Sequence, residues 1–282
     1  MNYKPISKPL SNSQLVSIHR LVDEVGKRQL NDFGQINSDI KPDGTLITEC
    51  DRWSDKTIVQ GLSQIAPGEG VLSEEGNKLI PRSSEYWVVD PLDGTTNFAA
   101  GIPYWAISIA RFINGEPETA FLDIPALKKR IFAIKGKGVW LNDKPLKPES
   151  RFKKNSDCIS LCSRSIKVLQ IKPEQSFPGK IRLLGVSSLN MTSVAIGQTI
   201  AALEATPKIW DIAAAWLILE ELNCLIKWLD INPKDILSGK DLTSVNFPLK
   251  AKPLKDKFIE INALSSILLI KNEVFENVFQ IN

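Results

Sequence analysis

Asp90 and Asp93 stand three positions apart at the end of the apolar run Trp87-Val88-Val89, and Gly94-Thr95-Thr96 follows them directly. Carboxylates supply hard anionic oxygens of the kind that Mg²⁺ prefers over imidazole or thiolate. Pro91 stiffens the chain between them, so that the Leu92 carbonyl can face an ion. Gly94 lets backbone come close to an anion, and the amides and hydroxyls of Gly94, Thr95 and Thr96 can donate to phosphate oxygens. A strand end of this kind suits metal ions and phosphate. An Asx-type turn that caps a helix satisfies the same spacing, and the residues alone leave both readings open.

Two further pieces bear on that choice. Ser73-Glu74-Glu75-Gly76 places a pair of acids after the apolar Val71-Leu72, and Ile209-Trp210-Asp211 places another at the edge of an Ala-rich helical pattern. In this order and at these separations, the three pieces resemble the inositol monophosphatase family of Mg²⁺-dependent phosphomonoesterases. The match to its D-P-(I/L)-D-G-T-T-N-F segment runs from Asp90 to Phe98 without a gap.

The resemblance implies an α+β fold, a layered α/β/α/β/α sandwich with two sheets and covering helices. It implies one Mg²⁺ on Glu74, Asp90 and the Leu92 carbonyl, and a second on Asp90, Asp93 and Asp211. Glu74 and Thr95 would orient the nucleophilic water, and Gly94 and Thr95 would bind phosphate, with Glu75 and Thr96 beside them. Residues 41–51 match a K-x-D-x-V-T-x-x-D pattern loosely, which offers Asp51 to an additional Mg²⁺; on local grounds Asp51 also reads as an N-cap. Gly185, Val186, Ser187 and Glu204, together with Asp211, match positions that contact substrate, while Ser187 alone reads equally well as a helix N-cap.

Thr96-Asn97-Phe98 favours an inositol or sugar monophosphate. Fructose bisphosphate, histidinol phosphate and nucleotide 3′-phosphates are alternatives inside the superfamily, and a non-catalytic sugar-phosphate-binding protein is the alternative outside it. Relatives are commonly homodimers. The chain departs from the family after Trp-Asp, where Glu220-Glu221-Leu222-Asn223-Cys224 replaces Glu-Ala-Gly-Gly and Trp216 takes a position that is often small.

Composition agrees with carboxylate chemistry. His19 is the single histidine among 282 residues, so Ser-His-Asp or Cys-His catalysis has almost no raw material. The four cysteines are too sparse for a disulfide framework and read as free thiols. Basic residues (35) and acidic residues (32) are interspersed, for a net +3, which gives no basic face for nucleic acid. Residues 1–14 lack the apolar core of a signal peptide, and the longest apolar run, Ile212 to Leu219, is too short to span a bilayer. These features predict a cytoplasmic protein with a packed core.

The elements that must position these acids follow from periodicity. Helical spacing covers residues 11–33 and 52–65, and short strands are expected at 71–72, 86–90, 104–112, 117–124, 130–135 and 139–141. A Lys- and Pro-rich stretch, 143–155, is the expected boundary between an N-terminal half, 1–150, and a C-terminal half, 151–282. In the second half, strands are expected at 158–162, 181–184, 200–203 and 225–229, and helices from 165, at 187–196 and at 211–222. Residues 258–261 read as strand, and 267–278 as either.

Overall fold

Tyr86 and Val88 belong to one buried cluster, and Trp87 and Val89 to another, because successive side chains of a strand leave on opposite faces. The same alternation continues in the next two strands, with Ala106, Ala110, Ala120 and Leu122 on the first face and Ile107, Ile109 and Phe121 on the second. A sheet buried on both sides needs a layer on each. The computed structural model, which describes residues 9–147, 158–163, 180–205, 207–229 and 267–272, shows what those layers are.

Helices α1 (Asn12–Asp32) and α2 (Glu49–Ile65) cover the second face. Ile18, Leu21, Val22 and Val25 of α1 and Ile58 and Leu62 of α2 pack there against Trp87, Val89, Ile109 and Phe121. Ser11 begins α1 with a reciprocal capping box to Gln14. Between the helices, β1 (Ser38–Ile40) and β2 (Leu46–Thr48) form a small antiparallel ribbon.

The seven-stranded sheet runs in sequence order: β3 (Gly70–Ser73), β4 (Glu85–Asp93), β5 (Ala106–Ile113), β6 (Glu116–Ile124), β7 (Lys129–Ile134), β8 (Gly138–Leu141) and β9 (Lys144–Leu146). β3 is parallel to β4, and every later pair is antiparallel. The expected boundary stretch therefore begins with a strand, because Lys144–Leu146 closes a hairpin on β8 through a left-handed Asn142-Asp143 turn. The short helix α3 (Thr95–Ala99) follows β4 at once.

The second sheet has the order β11-β10-β12-β14-β13, built from β10 (Cys158–Leu161), β11 (Lys180–Arg182), β12 (Ala201–Ala205), β13 (Cys224–Leu229) and β14 (Ile267–Asn272). Residues 267–272 are thus strand. Helices α4 (Ser187–Ala195) and α5 (Ile209–Glu221) lie between the sheets and share one cluster with Val88, Ala110, Leu122, Ala202 and Ile226. Helix α5 is buried on nearly all sides, as expected for a helix that is apolar all round. The described layers are helix, sheet, helix, sheet. The expected helix from 165 and the strand at 258–261 lie outside the described residues.

The departures after Trp-Asp have local explanations. Trp216 is 3% exposed, packs in the core between the sheets and donates its indole N–H to Glu220 at 2.8 Å, so it forms no wall of the acidic cleft. Glu221 accepts the amides of Gly136 and Gly138 at 2.7 and 2.9 Å and ties the helix end to the β7–β8 turn. Asn223 turns the chain at φ 53°, a left-handed conformation that asparagine tolerates best after glycine. His19 lies beside the Phe121 and Phe132 rings on α1, and burial together with the neighbouring Arg130 lowers its pKa. The described cysteines are all free, and no helix among the described residues is long and apolar enough to cross a membrane.

Candidate active site

Three acids meet where β4 ends. Asp90 and Asp93 close β4, Asp211 sits in the first turn of α5, and each offers an oxygen within 4.8 Å of the others. Regular pairing of β4 with β5 breaks between Asp90 and Asp93, which leaves room for Pro91 and Leu92 to loop out of register. The Leu92 amide donates to Asp90 Oδ1 at 3.0 Å and fixes that carboxylate against its own loop.

Each carboxylate is held from a different element. Asp93 accepts the Ser187 amide on Oδ1 at 3.3 Å and the Ser188 amide on Oδ2 at 2.7 Å, so it caps α4 from 94 residues away. Ser187 is therefore not the N-cap. Val186 holds that position without a side-chain bond, and the Ser187 hydroxyl donates to Glu204 at 3.3 Å. Asp211 accepts the Lys208 amide at 2.7 Å in the first turn of its own helix.

Gly94 shows why glycine follows the aspartates. Its φ is 105°, and a Cβ there would sit 2.8 Å from Val186 Cγ2, so both conformation and space exclude a larger residue. Beside it, the Thr95 hydroxyl donates to Asp51 Oδ1 at 2.8 Å and lies 3.2 Å from the Leu92 carbonyl. Asp51 is not an N-cap either. Thr48 caps α2, and Asp51 answers from the third helical position, accepting the Thr48 amide at 2.8 Å and its hydroxyl. Asp51 thus completes the capping box that Thr48 begins and accepts the Thr95 hydroxyl as well.

Glu74 stands apart from the three clustered acids. Its amide bonds the Val89 carbonyl next to Asp90, but its carboxylate pairs with Lys41 Nζ at 2.8 Å, and the same ammonium reaches Glu75 at 2.5 Å. Burial opposes a charged Lys41, yet the bonds and charges of Glu74 and Glu75 outweigh it and hold the lysine above its ordinary pKa. Removing the ammonium leaves two adjacent, partly buried carboxylates without a counter-charge. Lys41→Ala is expected to lower stability in metal-free buffer by about 2 kcal/mol, discounted for the partial exposure of Glu74. Urea denaturation measures this, and a loss below about 0.5 kcal/mol would show the triad to be energetically idle.

The remaining expected substrate residues divide. Thr96 is exposed and Ser187 half-buried at the cleft side, while Gly185 is exposed with φ 73° next to the Asn97 amide. Asn97 Nδ2 donates to the Tyr104 and Leu184 carbonyls at 2.9 and 2.7 Å and so joins α3 to the approach of α4. Val186 and Glu204, expected to contact substrate, have no exposed surface. Val186 packs beneath Gly94. Glu204 accepts Asn190 Nδ2 at 2.7 Å, and burial raises its carboxyl to about 7.

Sequence reading missed Gln29. It is fully buried on the apolar face of α1 and donates to the Pro91 carbonyl at 2.8 Å, while its own oxygen accepts Trp105 Nε1 at 2.9 Å. The available signal was an amide at a position of α1 that its spacing marks as apolar.

The clustered acids fit a divalent cation. Burial, then the charges of Glu74, Asp93 and Asp211, raises Asp90 well above its ordinary value; burial and Asp93 do the same for Asp211, and Asp93 rises to about 6. Lys41, the nearby cation, is already taken by Glu74 and Glu75. Buried hard oxygens that repel one another and lack a counter-charge are a metal's ligand set.

Comparison with known proteins agrees. A fructose-1,6-bisphosphatase/inositol-1-monophosphatase of Thermotoga maritima is 26% identical over 265 residues, covering 92% of this chain and 96% of that protein. The Nus factor SuhB of Xylella fastidiosa is 31% identical over 223 residues, covering 77% and 80%. The crystal structure of an IMPase/NADP phosphatase complexed with Mg²⁺ and phosphate superposes with a TM-score of 0.70 at 24% identity, covering 95% of this chain and 93% of that one, and shows a shared fold. The model of the inositol monophosphatase family matches residues 12–260, and this chain belongs to that family, whose members are metal-dependent phosphatases.

Proposed function

We propose that the chain hydrolyses small phosphate monoesters with Mg²⁺, and that its substrate is a phosphorylated polyol or sugar such as myo-inositol monophosphate. The convergence of Asp90, Asp93 and Asp211 from two separate elements carries this reading. Asp90, Asp93 and Asp211 would hold a divalent ion, with Glu74 and the Leu92 carbonyl as further candidate ligands, and such an ion would supply charge against the phosphoryl oxygens and acidify water. Thr95 does the positioning. Its single proton goes to Asp51 or the Leu92 carbonyl, so its lone pairs are free to accept a hydrogen bond from the attacking water and orient it. The Gly94 and Thr95 amides open α3 and serve the phosphate. Family resemblance supports a cytoplasmic homodimer as the working form.

A panel of phosphate esters with released phosphate as readout tests this. Mg²⁺-dependent turnover of inositol or sugar monophosphates is expected, and no turnover of any ester at saturating Mg²⁺ would leave only a binding protein.

A second reading, a bisphosphate substrate, is favoured by Lys78. This exposed lysine follows Glu75 by three residues, holds its ammonium 5.7 Å from the Trp210 ring centroid beside Asp211, and forms no ion pair among the described residues. Lys78→Ala is expected to raise KM for fructose 1,6-bisphosphate about five- to tenfold while changing that for inositol 1-phosphate less than about twofold. Equal effects on both esters would remove this role.

A further inference from the structure

Away from the acidic centre, a cavity of about 310 Å³ opens between α1, the β6–β7 turn and the β8–β9 turn. Its floor is Asp123, 8% exposed at the end of β6. Arg130 Nε donates to Asp123 Oδ1 at 2.8 Å, and Arg130 is further occupied by Asp23 at 2.8 Å. Among the described residues no donor reaches Asp123 Oδ2, and this oxygen stays open to the cavity rather than sealed in the core.

The walls are mostly of the opposite charge, with Lys27, Lys128, Lys129 and Arg130 against Asp23 and Asp143. Lys27, Lys128 and Lys129 line the cavity, and none of their ammonium groups forms an ion pair among the described residues. Leu30 and Pro125 provide apolar surface. Asn142 holds the rim, because its side chain accepts the Arg130 amide at 2.8 Å and donates to the Lys128 carbonyl at 3.1 Å.

Gly26 sharpens the reading. Glycine inside a helix costs about 1 kcal/mol relative to alanine. At Gly61 packing demands it, since a Cβ there would lie 2.6 Å from Leu21 Cδ2. At Gly26 a Cβ would lie 3.4 Å from Asp123 Oδ2 and from Pro125 Cγ, ordinary contact distances, so packing alone would accept alanine. Glycine there keeps a methyl group from resting in contact against the unpartnered oxygen.

We propose that this cavity is a second, non-catalytic site for a small phosphate ester with free hydroxyls. The three ammonium groups take the phosphate, Asp123 Oδ2 accepts a hydroxyl, and the volume suits one such molecule. The occupant also bears on α1 three residues before Gln29, the amide that holds the Pro91 carbonyl of the catalytic loop. Binding is therefore coupled to turnover.

Calorimetry of the whole chain in EDTA, with ribose 5-phosphate as probe, tests the site apart from the proposed catalysis, because a metal-free cluster of acids repels phosphate. One saturable site per chain is expected, weakened about tenfold or more by Lys128→Ala/Lys129→Ala and unchanged by Asp211→Asn. Inorganic phosphate should bind about tenfold more weakly than the ester. No saturation by about 20 mM, indifference to the double substitution, or equal affinity for phosphate and ester would each overturn the proposal. The coupling rests on the phosphatase reading: with Mg²⁺ and substrate, the probe should change kcat about twofold or more in the wild type and not in the double variant. Unchanged kcat with binding intact would overturn the coupling alone.

Discussion

Asp93→Asn is expected to lower Mg²⁺-dependent phosphate release by about 10³-fold or more while leaving a folded protein. Two functions meet on this carboxylate. It belongs to the cluster with Asp90 and Asp211, and it caps α4 through the Ser187 and Ser188 amides. Asparagine keeps one carbonyl oxygen for the shorter bond to Ser188 but sets an amide donor against the Ser187 N–H. That loss costs stability about 1 kcal/mol, which a melting curve will show without unfolding at room temperature. The negative charge has no substitute. Retention of more than about a tenth of the wild-type rate, in protein whose melting midpoint is little changed, would remove Asp93 from the metal site.

Thr95→Ala should reduce kcat about 10²- to 10³-fold with KM little altered, and Thr95→Ser should recover most of the loss. The reason is positional. The hydroxyl gives its proton to Asp51 at 2.8 Å or to the Leu92 carbonyl at 3.2 Å, so only its lone pairs are available to a water in the cleft. Alanine removes that acceptor and leaves Asp51 Oδ1 without its donor, at a stability cost of about 1 kcal/mol. Serine restores both contacts and loses only a methyl group. Loss of activity in the serine variant equal to that in alanine would show that the methyl packing of Thr95, not its hydroxyl, matters.

What the sequence disclosed follows from which contacts are local. Asp90, Asp93, Gly94 and Thr95 lie within six consecutive residues, so their types and spacing narrow the choice to hard ligands or a capping turn before any fold is known. The strands around them alternate with period two, and α1 and α2 repeat with helical spacing, which made the N-terminal sheet and its helices readable. Contacts across long separations were not readable. Capping of α4 by Asp93, the joint hold of Lys41 on Glu74 and Glu75, and the Gln29 bond to Pro91 all depend on tertiary placement. Asp51 misled for a related reason: Thr48 and Asp51 are both good capping residues three apart, and which one begins the helix is settled by the strand that delivers Thr48. Glu204 lies at the spacing that relatives use for substrate, yet here Ser187 and Asn190 close over it.

Trp216 carries the same lesson on the apolar side. Trp216 is bulky at a normally small position, and α5 turns that position into the space between the sheets. The altered helix end is absorbed by Glu221 on the Gly136 and Gly138 amides and by the left-handed Asn223. The acidic cluster at the other end of the helix is left as it is.

Diffraction from crystals soaked in Mn²⁺, a substitute for Mg²⁺ with measurable anomalous scattering, tests the assignment of the metal site most directly. An anomalous peak is predicted among the carboxylates of Asp90, Asp93 and Asp211, absent from crystals of Asp93→Asn grown and soaked alike. A fully soaked wild-type crystal with no peak at the three aspartates would contradict it.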